Sequence, residues 1–140
     1  MKYLLDTCVL SELVIKQPNA QVVDFIDSLD PDNLYLSVIT IGEIVKDIEK
    51  LPRSRRKQEL HTWLKDDLLA RFQGKIISID EDVIVAWGFL TAPAEAAGRP
   101  MPAIDSLIAA TAQANGLALV TRNVDDFNAS GVEIVNPWEA

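Results

Sequence analysis

Short apolar runs alternate with longer segments of helical spacing along almost the whole chain, and this alternation restricts the fold more than any other feature. Lys2 to Leu5 is a short apolar run bounded by Asp6 and predicts a strand entering the core. Thr7 to Ile15 has apolar residues at 9, 10, 13 and 14, a helical spacing that stops before Pro18. Asn19 is a good N-cap for a second helix through Leu29, with Val22, Val23 and Ile26 on one face. Asp30-Pro31-Asp32-Asn33 predicts a turn, Leu34 to Val38 a second strand, and a helix from about Ile41 runs to the break at Pro52. A polar helix is expected from about Arg53 to Phe72, ended by Gly74, with a third strand over Lys75 to Ile79. Asp80 caps a helix holding the apolar run Val83 to Leu90, and Gly98-Arg99-Pro100-Met101-Pro102 forms a rigid connection. Pro102 suits the first turn of the next helix, which ends near Asn115-Gly116. Leu117 to Thr121 and Val132 to Val135 complete the strands. Strands alternating with helices predict an α/β fold with a mainly parallel central sheet of about five strands.

The 140 residues fit one domain, 1–140, with no linker long enough to divide it. The longest apolar run has eight residues, far short of the ~20 that span a bilayer, so no membrane association is expected. The apolar part of the N-terminus is too short for a signal peptide, which predicts a cytosolic location. Cys8 is the only cysteine and His61 the only histidine, excluding disulfide frameworks, cysteine zinc sites and paired-histidine catalysis within one chain. The six glycines are too scattered for a dinucleotide fingerprint or a P-loop. Enzymatic chemistry here would rest on carboxylates. The net charge is −8, yet residues 46–75 hold nine of the 13 basic residues against five acids. Such a basic arm suits phosphates or an acidic partner, and equally suits solvated surface helices with intrahelical ion pairs.

In an open parallel sheet, sites form beyond the carboxyl ends of the strands. Four acids fall there. Asp6 follows strand one, Glu43 lies in the first turn after strand two, Asp105 in the first turn after Pro102, and Asp126 after strand four. Asp6 is also a preferred N-cap for the helix at Thr7. Thr40-Ile41-Gly42-Glu43 also matches a capping box. Asp105 is harder to explain structurally, because Ile108, Ala109 and Ala112 share its face and a carboxylate buried among them would be costly without compensation. Asp125 and Asp126 are adjacent in a polar turn. Hard divalent cations such as Mg²⁺ relieve the repulsion of gathered carboxylates.

Four segments in register carry a resemblance: Leu4-Leu5-Asp6-Thr7 with Ser11-Glu12, Leu36-Ser37 through Thr40 to Glu43, Ile104-Asp105 to Ala112, and Val120-Thr121-Arg122-Asn123-Val124-Asp125-Asp126-Phe127. The chain resembles PIN-domain ribonucleases of the VapC/FitB toxin type, whose FitB-like branch is also suggested by Asn136-Pro137-Trp138. The resemblance implies a three-layer α/β/α fold and a Mg²⁺ site, with Mn²⁺ as a substitute. Asp6 and Asp105 would build it, with Glu43 and Asp126 contributing directly or through water. It implies Thr7, Ser11, Thr121 and Asn123 as polar supporting or phosphate-positioning groups. It further implies an RNA substrate, a cognate antitoxin protein and a homodimer, to which the Val83–Leu90 helix could lend an apolar surface. Two departures stand out: Cys8 occupies a place where many relatives have Asn, and some members carry Asp where this chain has Asn123. The spacing Thr-Arg-Asn-x-x-Asp-Phe selects Asp126 over Asp125 as the fourth acid.

Other readings fare differently. An aspartyl-nucleophile phosphotransferase would want an acid where Cys8 stands, and a receiver domain would want a late lysine, but none follows Lys75. A non-catalytic module of the same fold, binding RNA or a protein partner, stays open.

Overall fold

The computed structural model describes residues 1–139; the last residue of the expected 1–140 span lies outside them. Five strands form the sheet: β1 (Tyr3–Leu5), β2 (Leu34–Ser37), β3 (Ile76–Ile77), β4 (Ala118–Val120) and β5 (Ile134–Val135). Their order is β3-β2-β1-β4-β5, and every pairing is parallel. The helices are α1 (Thr7–Val14), α2 (Ala20–Asp27), α3 (Val38–Glu49), α4 (Arg55–Thr62), α5 (Leu69–Arg71), α6 (Glu81–Ala96), α7 (Ala103–Ala114) and α8 (Val124–Phe127).

The period-2 alternation of each strand divides the core into two layers. Tyr3, Leu5, Leu34, Leu36, Ile76, Val120 and Val135 face one cluster with α1, α2 and α3. Leu4, Tyr35, Ile77, Leu119 and Ile134 face the other, with Leu90, Ile108, Ala109, Ala112 and Phe127. A sheet buried on both faces is what nearly continuous apolar strands require.

Several boundaries differ from the sequence-based expectation. The third helix starts at Val38, not near Ile41, because Ser37 ends β2 and its hydroxyl accepts the Ile39 N–H at 3.1 Å. The expected capping box at Thr40–Glu43 therefore does not form; both residues lie within the helix, free to be used elsewhere. The expected single helix over Arg53–Phe72 begins at Arg55, capped by Ser54, and a π-helical stretch over Trp63–Leu68 separates α4 from α5. That widening of the turn accompanies burial of Leu64 and Leu68 against the core. Pro102 sits just before α7 rather than in its first turn. Asp125 and Asp126 lie on the short helix α8, not in an irregular turn. Strands three and five are two residues each, shorter than expected.

Candidate active site

The chain leaves β1 for β2 on one side, while β4 pairs with β1 on the other, so the switch point of the sheet lies between β1 and β4. Asp6 is the first residue beyond β1 and Thr121 the first beyond β4. The Thr121 hydroxyl donates to Asp6 Oδ2 at 2.7 Å, closing the gap between the two strands. Asp6 Oδ1 accepts the Thr7 N–H at 2.8 Å, so the capping role and a site role coexist in one residue. The Cys8 thiol also donates to Oδ2, at 3.7 Å, while its sulfur accepts the Arg122 N–H at 3.5 Å. Burial and the nearby Asp6 carboxylate push the Cys8 thiol up, which keeps it protonated as a donor. A thiol is a weak donor, so this bond adds little to the hold on the carboxylate.

Glu43 is held from the other side. The Thr7 hydroxyl donates to Glu43 Oε1 at 2.6 Å and hydrogen-bonds the fully buried Thr40 hydroxyl at 3.1 Å. Consecutive residues Asp6 and Thr7 thus tie α3 to the switch point. Asp105 stands in the first turn of α7, with no side-chain cap before it. The start of that helix is fixed by Ser106, whose hydroxyl donates to Ala103 O at 2.7 Å and accepts the Trp87 indole N–H of α6 at 2.9 Å. Asp126, on α8, is exposed at the mouth of two open pockets of about 480 and 460 Å³.

The four acids feel one another. Asp105 is pushed up to about 6, first by burial and then by the charges of Asp6, Asp126 and Glu43. Burial also raises Asp6, against the lowering effect of its hydrogen bonds, and Asp126 adds to the rise. Asp126 rather than Asp125 is the neighbour that acts on both. No ion pair reaches any of the four among the described residues. Nor do three of their side chains, among the described residues, close around a point as a preformed metal cage would. The set is nevertheless the one a hard cation suits: oxygen donors only, uncompensated, and mutually repulsive without it.

Of the supporting residues expected from sequence, Thr7 and Thr121 bond the acids directly. Asn123 donates its backbone N–H to Thr121 Oγ1 at 3.0 Å and lines the Asp126 pocket. Ser11 is not brought into this network; it lines a groove with Val14, Ile15, Ile44 and Trp63. Two contributors were missed. The sequence offers Thr40 only as a cap, and its buried hydroxyl gives no separate signal there. Arg122 stands 4.5 Å over the Trp138 ring and 3.3 Å from Glu12, pinning the loop after β4 to α1 and to the chain's end.

The PIN domain family model matches residues 3–131. The chain belongs to the PIN-domain family. It is 40% identical to the plasmid stability protein StbB of Pseudomonas syringae pv. tomato over 98% of this chain and 99% of that protein. It is 38% identical to toxin FitB of Neisseria gonorrhoeae, covering 96% and 97%, and 35% identical to VapC ribonuclease Y4jK of Sinorhizobium fredii, covering 97% of each. The crystal structure of FitAcB from Neisseria gonorrhoeae superposes with a TM-score of 0.94 at 37% identity, over 99% of both chains. A PIN-domain fold so closely matched accounts for the strand order, and the acids of this chain occupy its switch-point edge. No helix among the described residues is long and apolar enough to cross a membrane.

Proposed function

We propose that this PIN-domain protein is a divalent-metal-dependent endoribonuclease, acting as one unit over residues 1–140 in the cytoplasm and as the toxin of a toxin–antitoxin pair. The observation that carries the reading is the gathering of four carboxylates at the switch-point edge. The Asp105 carboxyl is raised there first by burial and then by the charges of Asp6, Asp126 and Glu43, and no ion pair reaches any of the four among the described residues. Asp6 and Asp105 would hold Mg²⁺, or Mn²⁺ in its place, with Glu43 and Asp126 bonding directly or through water. When bound, the ion supplies an activated water and offsets charge on the phosphoryl oxygens. The chain's own part is orientation. Thr121 and Cys8 fix the plane of the Asp6 carboxylate, Thr7 and Thr40 fix Glu43, and the Trp87–Ser106 contact sets the start of α7 and hence Asp105.

The relatives' names support the activity and the pairing: a VapC ribonuclease at 35% identity, and FitAB solved bound to DNA at 36% identity and a TM-score of 0.92. An antitoxin whose basic residue approaches the four acids would gain from their uncompensated charge. A homodimer is proposed through α6, where Ile84, Val85, Trp87 and Phe89 are exposed and Phe89 is 78% accessible.

Incubating the protein with total RNA in Mg²⁺ or Mn²⁺ and in EDTA tests the activity. Cleavage should require the metal and survive His61→Ala, since His61 lies on α4 paired with Glu49 at 3.0 Å. Binding of RNA without cleavage in any metal would favour the non-catalytic module instead. Cleavage that persists in EDTA and is lost with His61→Ala would overturn the mechanism.

A further inference from the structure

Gly42 is a costly residue without a structural reason. It sits inside α3, where glycine destabilises a helix by roughly 1 kcal/mol relative to alanine. Its φ is not positive, and a Cβ built on it meets nothing within 4 Å. Neither turn geometry nor close packing within the chain explains it. What Gly42 does is floor an open groove of about 340 Å³ lined also by Val38, Ile39, Glu43, Lys46, Asp47, Lys50 and Ile104. The groove begins at the acid site, since Glu43 is one of the four carboxylates and Ile104 adjoins Asp105.

Two features of this groove suit a nucleotide. Lys46 and Lys50 follow Glu43 at helical spacings of three and seven, are exposed, and have no ion pair among the described residues. Elsewhere in the basic segment, Lys57 is engaged by Glu49 and Arg56 by Glu59. At the inner end, Val38 and Ile104 are large apolar side chains left exposed, at 37% and 41%. Phosphates on the lysines and a base against the apolar pair would use both. Asp47 and Glu43 offset the lysine charges in the free protein.

We propose that this groove is the subsite for the single-stranded RNA segment adjoining the scissile phosphodiester, with Lys46 and Lys50 as phosphate contacts and Gly42 as the point of closest approach. The proposal rests on the ribonuclease reading above. It differs from contact spread over the whole basic arm by assigning binding to two of its nine cations.

The test is binding of a labelled short single-stranded oligoribonucleotide, followed by fluorescence anisotropy across a salt series, in an Asp105→Asn background that leaves the probe uncut. Lys46→Gln and Lys50→Gln should each flatten the slope of log affinity against log salt by about 0.7, the loss of one phosphate contact. Lys2→Gln, just before β1 and so at the opposite edge of the parallel sheet, should leave it unchanged. Gly42→Gln adds a helix-favouring side chain into open space, so it should melt no lower than its background, yet bind RNA at least tenfold more weakly. Equal slopes for all three lysine variants, or undiminished binding by Gly42→Gln, would overturn the groove while leaving the nuclease intact if the parent still cleaves RNA. A parent that neither binds nor cleaves RNA removes both readings. If Gly42→Gln instead changes the oligomeric state with RNA affinity unaltered, the groove is an interface between copies and the proposal fails.

Discussion

Replacing Asp105 with Asn removes one charge from the cluster at nearly constant volume, and the pH dependence of the result is fixed by the structure. The Asp105 carboxyl is raised from 3.8 to about 6 by burial and by Asp6, Asp126 and Glu43. A rise of roughly two units would amount to about 3 kcal/mol at 1.36 kcal/mol per unit. Asp105 is only partly buried, and solvent screening at the open edge reduces this to about 1–2 kcal/mol. The sign follows from the proton count. Between about pH 4 and 6 the folded protein keeps this proton while the unfolded chain has released it, so stability falls as pH rises and the penalty is complete above about pH 7. In EDTA, Asp105→Asn should match the parent near pH 4 and exceed it by about 1–2 kcal/mol near pH 7.5, raising Tm by about 3–8 °C. Added Mg²⁺ should reverse the order, because the parent gains about 2.7 kcal/mol at one hundred times its dissociation constant and the variant loses most of that gain. Paired thermal melts across pH, with and without Mg²⁺, measure both. A stability difference that does not vary with pH, or a variant that retains the full Mg²⁺ response and RNA cleavage, would refute the reasoning.

Asp6→Asn should also abolish the Mg²⁺-induced shift and cleavage, even though Asn caps a helix about as well as Asp; a variant with normal activity would reduce Asp6 to its capping role. Thr121→Val keeps the shape but removes the 2.7 Å bond to Asp6 and the acceptor for the Asn123 N–H, so urea melts should show a loss of about 1–3 kcal/mol together with slower cleavage. Thr7→Val should lower turnover with little effect on RNA affinity, because it frees Glu43 while leaving Lys46 and Lys50 in place; a change in affinity alone would contradict this. Phe89→Glu on α6 should give a monomer by light scattering if that face joins two copies, and an unchanged mass would exclude it.

The fold was legible because each strand is short and apolar and each helix carries its own punctuation. Asn19 and Asp80 cap where the sequence places them, accepting the Val22 and Val83 N–H groups. The failures have two causes, the first being that local signals compete and the second that some features carry none. Ser37 and Thr40 are both acceptable caps, and the sequence does not say which one the strand leaves free; the register of β2 on β1 and β3 decides it. The π-helical turn at Trp63–Leu68 has no marker at all, since it answers to the positions of Leu64 and Leu68 in the core. For the candidate site, the gathering of the acids at one sheet edge was legible through their place after strands, while the groups that bond them were less so. Thr121 bonding Asp6 spans 115 residues, and only the β1–β4 pairing brings the two together.

The same structure shows why the acid site cannot be reduced to good local design. Four departures from local preference converge on one edge of the sheet. Asp6 is buried with its charge disfavoured, Asp105 is loaded by like charges, α7 begins without a side-chain cap, and Gly42 weakens the helix that carries Glu43. Away from that edge Asn19, Asp30, Ser54 and Asp80 cap their helices with side-chain oxygens, and the other departures, Gly88 and Pro93, lie within α6. Departures scattered at random would read as marginal stability, whereas departures gathered at a switch point read as stability given up where a ligand restores it. Under the proposed function, each of the four would become favourable or neutral once a cation and a polyanionic strand bind. The ion would compensate Asp6 and Asp105, the uncapped N–H groups of α7 would face negative charge, and the bare surface of Gly42 would admit the strand. One proposed pair of ligands would thus account for features that have four separate structural costs.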